Sequence, residues 1–357
     1  GLDVKIKNGL RKVATNCDLS VMNILKHRTA YFEKVNGENS DYLYIQHKNR
    51  TRSVNQYLTH WFYPYKGKFH PQMIRALLNI LKIQKGETVL DPFVGSGTPA
   101  VEAMLLGINC IGYDISSVCN LISKSKTESI DVIDEIIKKR NSILHNEKEV
   151  EKLYIGKVRN FYKVAELIAY SDNARRGREF SQAFKENVIK MTNSLMDLKE
   201  IKEQLGLDFG KVIIEKKDAR CLPLENNSID GIITSPPYSI ALNYVENDAH
   251  ALEALGYDLK KVKEDFIGVR GNGLEKFELY ETDMKKAYSE MYRVLKPQKY
   301  CAIVIGNVTF QGKEVNTTQN VIEHCRDIGF SLENKIEKII YGLYNIMQKE
   351  YILIFRK

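Results

Sequence analysis

The chain has 357 residues, of which 43% are hydrophobic and 27% charged, a composition typical of folded globular proteins and not of disordered chains. Its length is sufficient for one large domain with insertions or for two domains. No stretch approaches the roughly 18 uncharged apolar residues of a membrane-spanning helix, and no signal-peptide pattern opens the sequence. We therefore expect a cytoplasmic protein without a membrane segment. The six cysteines form no CxxC pair, so we expect reduced thiols and no metal.

Positive charge is concentrated at the N-terminus. The formal net charge is +8, and residues 1–70 hold twelve lysines and arginines against five acids, an excess of seven. Aromatic residues such as Tyr31 and Trp61 lie between these cations. Such a basic arm suits a polyanionic partner, and a solvated basic surface is the alternative.

Short β-branched runs alternate with helical patterns, which predicts an α/β fold with a doubly wound, mostly parallel sheet. Two long stretches interrupt this alternation, and we interpret both as insertions. Residues 117–209 are rich in lysine and glutamate, and residues 239–283 contain glycine-rich turns. In chain order the predicted elements are a helix at Pro71–Leu81, a strand at Thr88–Phe93, a helix at Thr98–Gly107, strands at Cys110–Ile115, Lys211–Lys216 and Gly231–Ser235, a helix at Met284–Leu295, and strands at Tyr300–Ile305, Leu332–Ile340 and Tyr351–Phe355.

The first chemical motif is Asp91–Thr98 (DPFVGSGT), in which a strand runs into a glycine-rich loop and then a helix. Gly95 and Gly97 permit a tight turn and close approach of the backbone to a ligand. The pattern is neither GxGxxG nor a P-loop. Asp91 would repel a diphosphate but could pair with the cationic amino group of a methionine moiety. A glycine-rich turn without a ligand is the alternative.

Two further acids follow strands. Asp114 ends the second strand, 23 residues after Asp91, where a carboxylate can accept hydrogen bonds from both ribose hydroxyls of an adenosine. Asp218 follows the third strand and could accept from an adenine amino group. Each could equally be a strand-end acid that caps a turn.

The sharpest signal is Thr234–Tyr238 (TSPPY), after the fourth strand. Two prolines fix the backbone and leave carbonyl acceptors, and the following tyrosine offers a flat face. Binding a base amino group needs acceptors for its N–H bonds and a platform for the ring. The alternative is a turn that only ends the strand and binds no ligand.

Together, DPFVGSGT, GYD, DAR and TSPPY resemble the motifs of the DNA amino-methyltransferases, which make N6-methyladenine or N4-methylcytosine. The resemblance covers residues about 60–115, 210–245 and 284–357. It implies a Rossmann-like methyltransferase fold with a mostly parallel, seven-stranded twisted sheet, helices on both faces and helical insertions. It also implies S-adenosylmethionine as the methyl donor, S-adenosylhomocysteine as the product and double-stranded DNA as a partner.

By this resemblance the chain divides into a basic arm (1–60), a catalytic core (61–116 and 210–357), a helical insertion (117–209) and a loop insertion (239–283). Either insertion could read the DNA, the first through Arg175, Arg176 and Arg178. The catalytic residues would be Ser235, Pro236, Pro237 and Tyr238. The cofactor residues would be His70, Pro71, Asp91, Pro92, Phe93, Gly95, Ser96, Gly97, Thr98, Asp114, Ile115, Asp218, Ala219 and Ser235.

Serine before Pro-Pro is typical of the cytosine-N4 enzymes, so the resemblance favours N4 of cytosine, flipped onto Tyr238 while Ser235 and the Pro236 carbonyl accept from its amino group. A restriction-modification system with a cognate endonuclease would be the setting. The alternatives are adenine N6, guanine N2 of tRNA, and a silent methylase-like binding subunit. The cofactor motif precedes the catalytic motif, unlike in many Ser-Pro-Pro members, which leaves the DNA-reading segment open.

Overall fold

The structure is a computed structural model that describes residues 4–7, 12–15, 17–51, 53–238, 243–310, 313–338 and 350–357. The strands are β1 (Val4–Lys7), β2 (Lys12–Thr15), β3 (Lys34–Val35), β4 (Glu38–Asn39), β5 (Thr88–Asp91), β6 (Asn109–Asp114), β7 (Val212–Lys216), β8 (Ile229–Thr234), β9 (Leu295–Gly306), β10 (Val308–Phe310), β11 (Lys313–Val315), β12 (Ser331–Lys338) and β13 (Glu350–Arg356). The α-helices are α1 (Leu19–Arg28), α2 (Asp41–His47), α3 (Pro71–Ile80), α4 (Thr98–Leu105), α5 (Ser117–Glu128), α6 (Ile133–His145), α7 (Lys157–Arg176), α8 (Phe180–Gln204), α9 (Tyr244–Asn247), α10 (Ala249–Ala254), α11 (Leu259–Asp265), α12 (Gly273–Val294) and α13 (Thr317–Asp327). Two 3₁₀ turns, Ser129–Val132 and Glu147–Lys152, flank α6.

A seven-stranded sheet in the order β12-β13-β9-β8-β5-β6-β7 forms the centre of the fold. The pairs from β9 to β7 are parallel, and β13 is antiparallel to both of its neighbours. The other six strands therefore run in one direction. This confirms the predicted α/β fold with a mostly parallel, seven-stranded sheet.

Residues alternate between the two faces of the sheet, as they must along extended strands. Ile232 and Ile303 belong to a buried cluster with Met284 and Met291 of α12. Their chain neighbours Ile233 and Ala302 belong to a second cluster, which includes helices α3 and α4. Helices thus cover both faces.

Helix α12 begins at Gly273, eleven residues earlier than the predicted start at Met284. The glycine turns before it led to the assignment of this stretch to a loop. Its first turns place Tyr280 and Asp283 in the interior, so tertiary packing extends the helix.

The directions of the strands bring several polar side chains together at one edge of the sheet. Parallel strands β5, β6 and β8 end at this edge, and β12 ends there too because it runs in the same direction. Strand β13 is antiparallel and therefore begins there, at Glu350. Side chains at 91, 114, 234, 338 and 350 consequently converge, although they are far apart in sequence.

Helices α5 to α8 contribute to a further buried cluster that also contains Phe62, Tyr63, Val245 and Leu252. The predicted helical insertion thus packs against the predicted loop insertion. None of the described helices has the length and apolar character needed to cross a membrane.

Candidate active site

The glycine-rich loop connects β5 to α4. Gly95 and Gly97 have φ angles of +48° and +76°, in the left-handed region that favours glycine. A Cβ atom on Gly97 would lie 2.8 Å from the hydroxyl of Ser123, so the loop is also packed directly against α5. This explains why the sequence needs glycine at both positions.

Helix α5 holds the back of the loop. The Ser123 hydroxyl donates to the carbonyl of Gly95 (2.9 Å), and the side chain of Lys126 donates to the carbonyl of Ser96 (2.7 Å). Lys126 has no exposed surface, and this burial lowers its pKa well below the usual value. With two consecutive carbonyls held by α5, the loop has one fixed conformation.

Asp91, at the end of β5, carries an unsatisfied acceptor. Its Oδ1 accepts from the Thr234 hydroxyl (2.7 Å) and the Phe93 amide (3.2 Å). Its Oδ2 is buried and has no hydrogen-bond partner within the part of the chain that the structure describes. Burial raises the pKa of Asp91 to about 7. Such an atom suits a cationic donor from a ligand.

Asp114 ends β6 and faces a cavity that the glycine-rich loop also lines. Its two oxygens accept from the amides of Gly95 and Ser116, each at 2.9 Å. Burial raises the pKa of Asp114 to about 6. Each oxygen retains acceptor capacity toward the cavity, which suits a pair of ligand hydroxyls.

Both carboxylate oxygens of Asp218 already accept hydrogen bonds within the protein. Arg220 donates to both of its oxygens, and also to Asp283 (3.0 Å), which pairs with Arg270 as well. Asp218 and Ala219 still lie along the cavity, so they are placed to shape it.

The Ser235–Tyr238 motif contributes to the same cavity as the glycine-rich loop. Ser235 donates to the Tyr238 hydroxyl (3.1 Å), which donates to Glu350 (2.8 Å). Tyr280 donates to the carbonyl of Pro237 (3.0 Å), which fixes the second proline. Burial raises the pKa of Tyr238 well above its usual value, so the phenol stays protonated.

These elements enclose a cavity of about 180 Å³. Predicted residues that line it are Pro92, Phe93, Gly95, Ser96, Thr98, Asp114, Ile115, Asp218, Ala219, Ser235, Pro237 and Tyr238. Predicted residues that do not line it are His70, Pro71, Asp91, Gly97 and Pro236. Of these, Asp91 lies buried beneath the loop, and Gly97 is the N-cap of α4, whereas His70 is the N-cap and Pro71 the first residue of α3. Over the described ranges, no group of three or more His, Cys, Asp or Glu side chains could hold a metal ion.

The sequence did not identify several cavity residues. Tyr65 and Tyr244 stack with ring centroids 6.3 Å apart, and Tyr65 lies over Gly95. Asp248 accepts from the Tyr63 hydroxyl (2.8 Å) and also lines the cavity. An isolated aromatic or acid outside a sequence motif carries no spacing signal, so only the fold assigns these residues to the site.

Half of the twelve cations in the first 70 residues, and all three arginines proposed to read DNA, are paired within the part of the protein that the structure describes. Six cations of the first 70 residues donate to protein acceptors: Lys26, Arg28, Lys48, Arg50, Lys66 and Lys68. Arg175 donates to the carbonyls of Pro64 and Asn247, and Arg176 and Arg178 pair with Asp172. Charge counts along the sequence therefore overstate what these segments offer to a phosphate backbone.

Comparison with known proteins gives consistent matches. A family model described as DNA methylase matches residues 20–125. Type II methyltransferase M.MjaII of Methanocaldococcus jannaschii is 39% identical over 108 residues, 30% of this chain and 19% of that protein. Type II methyltransferase M.BsoBI of Geobacillus stearothermophilus is 25% identical over 280 residues, 59% of this chain and 55% of that protein.

A tRNA (guanine(10)-N2)-dimethyltransferase of Methanocaldococcus jannaschii is 31% identical over 156 residues, 43% of this chain and 42% of that protein. The chain thus spans about half or less of the length of these relatives.

Proposed function

Because this chain belongs to the DNA amino-methyltransferase family, we propose that it transfers a methyl group from S-adenosylmethionine to the N4 amino group of cytosine in DNA. The observation that carries the proposal is the common cavity of the glycine-rich loop, Asp114 and the Ser235–Tyr238 motif. A restriction-modification system with a cognate endonuclease is the proposed setting.

The described residues fit the methyl donor. The unpartnered Oδ2 of Asp91 would accept from its amino group, the carboxylate of Asp114 would accept from its ribose hydroxyls, and the glycine-rich loop would lie against it. When bound, the donor supplies a methyl group that its sulfonium charge already activates. The chain therefore has to position the acceptor nitrogen rather than supply a strong base.

The acceptor side is the Ser235–Tyr238 motif. Ser235 and the Pro236 carbonyl would accept from the two N–H bonds of the amino group, which aims its lone pair away from them. The base would be flipped from the duplex and would contact Tyr238 and the other cavity aromatics. Tyr238 also anchors the motif through Glu350.

The function is tested by methyl transfer from labelled S-adenosylmethionine to unmethylated genomic DNA and to bulk tRNA, followed by nucleoside analysis. We expect N4-methylcytosine in DNA. N6-methyladenine would overturn the base assignment alone. Label in neither polymer would contradict methyl transfer and favour a silent binding subunit.

The role of Tyr238 is tested by Tyr238→Ala, with Tyr154→Ala, which is 96% exposed, as the matched control. We expect the first variant to lose most turnover and still bind S-adenosylmethionine, and the control to match the wild type. Unchanged turnover in Tyr238→Ala would contradict the assigned role.

Guanine N2 of tRNA is the second candidate, favoured by the 31% identity to a tRNA (guanine(10)-N2)-dimethyltransferase over 156 residues. Label confined to guanine in tRNA would establish it. Phosphate contacts by the basic arm remain part of the DNA proposal, and they predict an affinity that falls steeply with salt. A salt-independent affinity would contradict them.

A further inference from the structure

Glu350 and Lys338 lie at the end of a chain of hydrogen bonds that begins at Ser235. Ser235 donates to Tyr238 (3.1 Å), Tyr238 donates to one oxygen of Glu350 (2.8 Å), and Lys338 donates to the other oxygen. Glu350 and Tyr238 are 7% exposed, and Glu350, Lys338, Tyr238 and Ser235 all line the cavity.

The direction of this chain follows from chemistry. A carboxylate can only accept, and an ammonium can only donate. The phenol proton of Tyr238 is therefore committed to Glu350, and its oxygen accepts from Ser235. The single proton of Ser235 is committed in turn, so this hydroxyl presents only lone pairs to the cavity.

We propose that Glu350 and Lys338 are positioning residues that fix Ser235 as an acceptor and thereby make the site specific for an amino group over a carbonyl. This inference rests on the proposed function and adds how the site would distinguish cytosine from uracil. An amino group donates to Ser235, whereas the O4 carbonyl of uracil would face its lone pairs without a proton between them.

The substitution Glu350→Gln tests the direction of these hydrogen bonds, because it changes the side chain's shape very little. Lys338 can only donate, so it would hold the amide oxygen and turn the amide nitrogen toward Tyr238. That nitrogen would donate to Tyr238, Tyr238 would donate to Ser235, and the proton of Ser235 would face the cavity. The chain would be reversed.

We expect Glu350→Gln to lower kcat by about tenfold to 100-fold, the effect of one misdirected buried hydrogen bond. The dissociation constant for S-adenosylmethionine, measured by calorimetry without DNA, should stay within about twofold of the wild-type value. Glu333→Gln, an exposed carboxylate on the neighbouring strand β12, is the control and should match the wild type in both measurements.

A binding measurement gives a second readout. The probes are duplexes that carry the methylated site mapped by nucleoside analysis, with either cytosine or uracil at the target position. The preference for cytosine over uracil should fall about tenfold or more in Glu350→Gln relative to the wild type. The weaker G·U pairing affects both proteins equally and cancels in this comparison.

The double variant Glu350→Gln/Lys338→Met provides the decisive rescue. Without Lys338 the amide is free to present its oxygen to Tyr238, so the original direction returns and kcat should recover above that of Glu350→Gln. No rescue, or an unchanged base preference in a folded Glu350→Gln, would overturn the inference. Absence of methyl transfer by the wild type would instead contradict the proposed function, so the two failures are distinguishable.

Discussion

The side-chain nitrogen of Lys126 lies 2.7 Å from the carbonyl oxygen of Ser96 and is completely removed from solvent. Burying a lysine is costly unless its amino group is hydrogen-bonded. Here the bond holds the glycine-rich loop from behind, while Ser96 faces the cavity. A residue on α5 thus supports the surface that would contact the methyl donor.

Lys126→Met should therefore weaken binding of S-adenosylmethionine by about tenfold, because the Ser96 carbonyl loses its donor and the loop loses its support. Lys124→Met, two residues earlier on α5 and partly exposed, is the matched control and should bind S-adenosylmethionine normally. Calorimetry with both variants checks this. Equal affinities for Lys126→Met and the wild type would show that the loop keeps its shape unaided.

Asp91 should make binding of S-adenosylmethionine depend on pH. Burial raises the pKa of Asp91 to about 7, so below this pH the free protein holds a neutral acid that cannot pair with the ammonium group of the donor. We expect the affinity to rise roughly tenfold from pH 6 to pH 7.5, since binding favours the ionised form.

Asp114 lines the cavity, and burial raises the pKa of its carboxyl to about 6, so its contribution to binding should fall mainly below pH 6. Asp91→Asn should bind weakly and lose the pH dependence above pH 6. If this variant kept the wild-type profile, another group would be responsible.

Gly97 should tolerate alanine poorly. Gly97 and Gly177 both have positive φ angles, +76° and +64°, but a Cβ on Gly177 would meet nothing within 4 Å, whereas on Gly97 it would meet Ser123 at 2.8 Å. Gly177→Ala should cost about 1 kcal/mol from backbone strain alone. Gly97→Ala should cost at least twice that, measured by urea unfolding. Equal losses of stability in the two variants would mean that α5 shifts to accommodate the new Cβ atom without a measurable cost.

The sequence predicted the order and type of the core elements because their signals are local. The apolar runs that became β5, β6, β7, β8 and β13 matched to within one or two residues at most ends, and glycines at 95 and 97 marked the loop. The recognised motifs also came together at one edge of the sheet. Their assigned roles stay predictions, as does the division into arm, core and insertions.

The rest depended on tertiary structure. Glu350 opens an apolar run and reads as an ordinary strand boundary, and only the antiparallel placement of β13 brings it to Tyr238. Likewise the excess charge of the first 70 residues does not reveal which of its cations are paired within the protein, and Arg50, for example, pairs with Asp197, a residue of α8 far away in sequence. Long-range pairing of this kind has no periodic signature in a single sequence.

A buried ionic cluster should make stability sensitive to acid. Glu102 on α4 accepts from Arg75 (2.7 Å), His60 (2.9 Å) and Tyr57 (2.6 Å), and all four are buried. Burial by itself would raise the pKa of Glu102, but Arg75 and His60 hold it at about 2, and burial lowers the pKa of His60 to about 4.

Both pKa values lie below their usual values, 4.5 for Glu102 and 6.5 for His60, so the unfolded chain binds more protons than the folded one in acid. The free energy of unfolding should therefore decline as the pH falls below about 6.5, first through protonation of His60 and then, below 4.5, through protonation of Glu102.

Glu102→Gln should lower the free energy of unfolding by about 3 kcal/mol or more at pH 7, because Arg75 is left buried without a counter-charge. It should also remove most of the decline below pH 4.5. Asp197→Asn, whose partner Arg50 is 44% exposed, is the matched control and should cost about 1 kcal/mol or less. Urea unfolding across this pH range distinguishes the two variants, and equal losses of stability at pH 7 would show that the buried cluster contributes no more than a pair with one exposed partner.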